Sequence, residues 1–136
     1  MKRRLIIVFT MIFICWNLAW SQSLQEGKEA IYYRRYASAE KFFSNYLRHH
    51  PSDAEAVLLL SKTYLLENKI TLAYATLKAT PGSIAENPFV LVAKGAVCRA
   101  YNFSGDSCLH YFNQAIAATK GKDPDILKAA AEMEIC

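Results

Sequence analysis

Residues 54–79 read AEAVLLLSKTYLLENKITLAYATLKA. The apolar residues lack the strict alternation of a strand, and the helical pattern breaks at Asn68-Lys69. The stretch therefore predicts two helices, about 54–67 and 71–79, joined by a short turn. Within it the small residue Ser61 is followed twelve positions later by Ala73, and four positions after that by Leu77. The same spacing stands on either side, as Gly27, Ala39 and Phe43 before it and as Ala96, Cys108 and Phe112 after it. The steps between the three sets are 34 and then 35 residues. A period of that size marks a stacked repeat, because a single unit cannot bury its own apolar face.

Outward from this stretch the chain is helical in pattern throughout. Further helices are expected at about 24–34, 37–48, 88–101, 107–119 and 125–136. Pro51 ends one helix, and Ser52 or Asp53 caps the next through a side-chain oxygen. Pro81-Gly82-Ser83 is a loop, and Asn87 is placed to cap a helix that starts on Pro88. Helices this short are marginal alone and must be held by packing. The small residues are expected to meet between the two helices of each hairpin, where Phe43, Leu77 and Phe112 fill the space toward the next unit.

These residues resemble the tetratricopeptide repeat, whose pattern has a Leu-Gly-like pair, then Tyr, Ala, an aromatic and a late Pro. Leu60-Ser61, Tyr64, Ala73 and Leu77 match it in the middle unit. Gly27, Ala39, Phe43 and Pro51 match it in the first, with Ala30 where Tyr is usual. Ala96, Cys108, Phe112 and Ala115 match it in the third, with Arg99 in the Tyr slot. The resemblance implies an all-α domain over 22–136, an α-solenoid of antiparallel helical hairpins. Its units are expected at about 22–52, 54–87 and 88–121, followed by a C-terminal helix at 124–136. That last helix either caps the stack or begins an interrupted repeat. In the second case Ile126, Leu127, Ala130 and Ile135 stay partly uncovered and the chain self-associates there, as an assembly subunit or a remnant of a longer protein.

The resemblance also implies a function: a non-enzymatic scaffold that holds a peptide or protein in a groove lined by the first helix of each unit. By that analogy Lys28, Ile31 and Tyr32 face the groove from the first unit, Leu58, Lys62, Leu65 and Leu66 from the second, and Val90, Val97 and Ala100 from the third. Lys28 and Lys62 hold equivalent places, either as a short basic stripe for an acidic partner or as solvated surface residues.

The amino terminus has the form of a secretory signal peptide over residues 1–21. Lys2, Arg3 and Arg4 precede the apolar run 5–16, and Ala19-Trp20-Ser21 supplies small residues before a cut at Gln22. The run is short for a membrane span, so the processed chain is expected to have none. Three of the 16 basic residues lie in this segment and none of the 12 acids do, which leaves 13 against 12. The excess of positive charge thus belongs to export, and nucleic acid is not expected as a partner. The exported character and the repeat together resemble exported tetratricopeptide proteins of Bacteroidetes-type bacteria, implying the periplasm or cell envelope of a Gram-negative cell.

No nucleophile elbow, phosphate loop or spaced acid pair stands in a catalytic context, and no cofactor is implied. His49 and His50 are adjacent and do not face one another on a helix, so no metal site is expected there. Cys98 and Cys108 flank the turn at 102–105 and a bridge between them is conceivable. With Cys108 set opposite Ala96, however, Cys98 points elsewhere, and the two are expected to stay unpaired.

Overall fold

The computed structural model describes residues 24–102 and 105–135. The expected signal peptide lies outside them. The described residues form helices and turns, with no strand among them. Helix α1 covers residues 24–32. It is followed by α2 (Tyr36–His49), α3 (Ala54–Leu66), α4 (Ile70–Lys78), α5 (Pro88–Ala100), α6 (Gly105–Ala118) and α7 (Pro124–Ile135). A single 3₁₀ turn, Gly82–Ile84, separates α4 from α5.

The ends of these helices are set by local chemistry. Asp53 Oδ1 accepts from the amide of Ala56 at 3.1 Å and starts α3. Asn87 Oδ1 accepts from the amide of Phe89 at 3.0 Å and starts α5 on Pro88. The other Asp53 carboxylate oxygen receives the Tyr46 hydroxyl at 2.8 Å, which ties α2 to the start of α3. Burial first, then this hydrogen bond and the Asp53 charge, push the Tyr46 hydroxyl up to about 12.

The other ends repeat. Arg34, Asn68 and Asn102 take the left-handed conformation, with φ of 55°, 58° and 55°, and close α1, α3 and α5. These positions are spaced by 34 residues, like the N-caps Asp53 and Asn87. At the first two, the following amide reaches back over the turn, Arg35 to Ala30 O at 2.7 Å and Lys69 to Tyr64 O at 2.8 Å. These bonds satisfy carbonyls that a helix end leaves open.

Packing then sorts the helices into an interior and an exterior row. Helix α3 contacts α2, α4 and α5, and α5 contacts α3, α4, α6 and α7. Enclosed on several sides, α3 buries eight of its 13 residues, whereas α4 buries only Ala73. The core runs from Ala30, Ala39 and Phe43 through Leu60 and Tyr64 to Leu91, Phe112 and α7. Ile126, Ala130 and Met133 are buried, and α7 packs chiefly on α5. Of the residues that an interrupted repeat would leave uncovered, Ile126 and Ala130 are instead buried in the core cluster with Leu91 and Phe112. Leu127 is 40% exposed.

The register of α5 also differs from expectation. The buried glycine pressed against Phe112 is Gly95, just as Gly27 is pressed against Phe43. A Cβ on Gly95 would lie 2.9 Å from two Phe112 ring carbons. On the 34-residue spacing of the caps, Gly27, Ser61 and Gly95 are equivalent, and so are Ala30, Tyr64 and Cys98. The extra residue that makes the later step 35 falls after α5, not before it. Ala96 is buried one position away, and Arg99 does not hold the Tyr slot.

A shift of one residue turns a helix by about 100°, and that corrects the cysteines. Cys98 faces α6, and it is bonded to Cys108 with Cα atoms 5.4 Å apart. The bridge joins the slots that Ala30 and Ala39 fill in the first hairpin, and Tyr64 and Ala73 in the second, all four buried in one cluster.

Candidate functional site

A cleft of about 410 Å³ crosses the interior row and takes side chains from α1, α3, α5 and α7. Its apolar surface comes from Ile31 and Tyr32 on α1, Leu58 and Leu59 on α3, Phe89 on α5, and Ala129 and Met133 on α7. Tyr32 stands at the rim, 80% exposed. The apolar residues of α7 reach it because positions 125, 128, 129, 132 and 133 share one helical face.

Six charges line the cleft, and they cancel. Lys28, Lys62 and Lys128 face Glu55, Asp125 and Glu132. Lys28 Nζ lies 2.6 Å from Glu55, linking α1 to the first turn of α3. Lys62 Nζ lies 2.5 Å from Glu132, linking α3 to α7 across 70 residues of chain. Lys128 approaches the other oxygen of Glu132 at 4.0 Å. The two equivalent lysines are therefore not an uncompensated basic stripe, since each already has a carboxylate. Partly exposed pairs of this kind contribute roughly 0–1 kcal/mol each and exchange readily with other charges.

Of the residues expected in the groove, Lys28, Ile31, Tyr32, Leu58 and Lys62 line this cleft. Leu65 packs partly buried against the core and Leu66 is exposed, both away from the cleft lining. Ala100 is partly buried near the end of α5 and does not line it. Val90 and Val97 do not line the cleft and are buried in the core, which corrects both. On the 34-residue spacing they match Ala56 and Thr63, which are also fully buried. What sequence reasoning missed is the contribution of α7 and of Glu55, Leu59 and Phe89. Phe89 lies 34 residues after Glu55, and a strict cap-to-cap period would have pointed to it.

Beside Glu55 and Phe89 the cleft opens at a shallow notch bounded by Tyr46, His50, Asp53 and Asn87. Both N-capping side chains stand there, already bonded to backbone amides. Among the described residues, no group of three His, Cys, Asp or Glu side chains is placed to hold a metal ion. No described helix is long and apolar enough to cross a membrane. The cleft thus offers an apolar floor, one protruding tyrosine and charges of both signs.

Compared with known proteins, the chain matches no protein-family model, no curated protein and no solved structure.

Proposed function

We propose that this chain is a non-enzymatic binding module of three tetratricopeptide-like units, exported to the cell envelope, which holds a protein partner in the cleft of its interior row. One observation carries the reading: a single cleft draws side chains from all four odd-numbered helices and pairs an apolar floor with balanced charge. An extended segment or an amphipathic helix of low net charge fits it. Its apolar side chains rest on Ile31, Leu59 and Phe89, which are only partly buried, and its charges exchange with Lys62–Glu132 and Lys28–Glu55. The recurrence of caps and left-handed turns every 34 residues supports the family assignment. The Cys98–Cys108 bridge supports export, since such bonds persist in oxidising compartments.

A photo-crosslinking residue at Tyr32, compared with one at the exposed Leu109 on α6, tests this reading in envelope fractions. A discrete protein adduct from position 32 alone is expected. No adduct, or the same set from both positions, refutes it. Assembly through α7 has weaker support, because Ile126, Ala130 and Met133 are already covered. A monomer in light scattering is the expected result.

A further inference from the structure

On the side of the molecule formed by α4, α5 and α6 lies a second cavity, of about 460 Å³, that the peptide cleft does not use. It lies where α4 and α6 both pack on α5. Val97 and Cys98 of α5 form its floor. Tyr74 and Leu77 of α4 wall one side and Tyr111 of α6 the other, with Tyr101 at the end of α5. Tyr74 and Tyr101 meet edge to face with ring centroids 5.8 Å apart, yet remain 51% and 40% exposed. Two large aromatics held in this way beside open space form an unfilled apolar site rather than packed core.

The charged groups lining this cavity are all of one sign. Among the described residues Lys78 and Lys94 line it and no carboxylate does. Lys94 Nζ donates to the carbonyl of Ala85 at 2.6 Å, and its ion pair with the well-exposed Glu86 is long, at 3.7 Å. Lys78 makes no ion pair with any described residue. A cavity of this volume, with an apolar wall and a few polar groups at one place, matches the usual form of a small-molecule site. We infer that this cavity binds an amphipathic organic anion, with an apolar aromatic or acyl body between Tyr74 and Tyr111 and its negative head at Lys78. The disulfide holds α5 and α6 together behind the floor, so the site depends on the oxidised chain.

The cavity shares no lining residue with the cleft of the odd-numbered helices, and two fluorescent probes with the same body test its preference. One is the anion 1-anilinonaphthalene-8-sulfonate and the other the neutral N-phenyl-1-naphthylamine, each titrated into the oxidised protein at a concentration where it is monomeric. The anion is expected to bind at one site about tenfold tighter than the neutral probe. Lys78→Glu should weaken the anion at least tenfold and leave the neutral probe nearly unchanged. Tyr74→Ala, at an exposed position, should weaken both, while Lys28→Glu in the peptide cleft should change neither. Thermal melts of each variant establish that the fold is retained. Equal affinity for the two probes, an anion affinity indifferent to Lys78→Glu, or loss of probe binding on Lys28→Glu overturns the proposal. So does a dimer that covers Tyr74 and excludes the probe.

Discussion

Gly27→Ala puts the packing between paired helices to a direct test. A Cβ at position 27 would lie 2.7 and 2.9 Å from Phe43 Cε1 and Cε2, and closer still to Cζ. Comfortable carbon contacts are about 3.5–4.0 Å, so the overlap is about 1 Å. Phe43 is 1% exposed and cannot swing into solvent. Overpacking of this kind costs roughly 1–3 kcal/mol, offset by up to about 1 kcal/mol from the better helix propensity of alanine. Gly105→Ala is the reference without overlap, because nothing lies within 4 Å of a Cβ there, and as the first residue of α6 it gains little from helix propensity. Gly27→Ala should therefore be the less stable of the two, by up to roughly 3 kcal/mol, or about 12 °C in Tm at this chain length. Phe43→Leu should relieve the clash. Alone it leaves a cavity, but combined with Gly27→Ala it should cost less than the sum of the two by about 1–2 kcal/mol. The middle unit already carries such a compensated pair, with Ser61 and Leu77 at the equivalent positions. Urea denaturation of the four variants measures the cycle. If Gly27→Ala is as stable as Gly105→Ala, or if the double variant is additive, the close approach is not what sets the hairpin.

Reducing the Cys98–Cys108 bond should expose two further thiols and lower stability by about 2–3 kcal/mol, from the chain entropy of the loop it closes. Urea curves of the wild type with and without reductant measure this, and Cys98→Ala should make the two curves coincide. Ser61 Oγ is buried without a hydrogen-bond partner, so Ser61→Ala should leave stability unchanged or raise it by about 1 kcal/mol in a thermal melt. Tyr46 is protonated to higher pH in the fold than in the unfolded chain, about 12 against 10.0. Its contribution is thus complete below pH 10.0 and is lost as pH rises toward 12. Solvent reaches this hydroxyl, and the discounted effect is about 1 kcal/mol. Tyr46→Phe should flatten that part of the stability–pH curve while costing about as much at neutral pH.

Much of this molecule is legible one residue at a time. Pro51, Asp53, Asn87 and Pro88 act on their own neighbours through backbone geometry and short hydrogen bonds, so the helices and their starts follow from the chain directly. The 34-residue echo is of the same kind, since small and large residues recur in the chain at fixed intervals. Tertiary structure decided what depends on rotation and on distant partners. One residue added after α5, and not before it, turns that helix by about 100°, which brings Gly95 to Phe112 and Cys98 to Cys108. Spacing alone admits either placement, because Gly95 and Ala96 are both small. In the same way the charges of the cleft were settled by Glu132, 70 residues from Lys62, and the cover over Ile126 by the docking of α7 on α5. Contacts of that range leave no periodic mark in a sequence, and they turn two apparent free lysines into the two sides of a neutral groove.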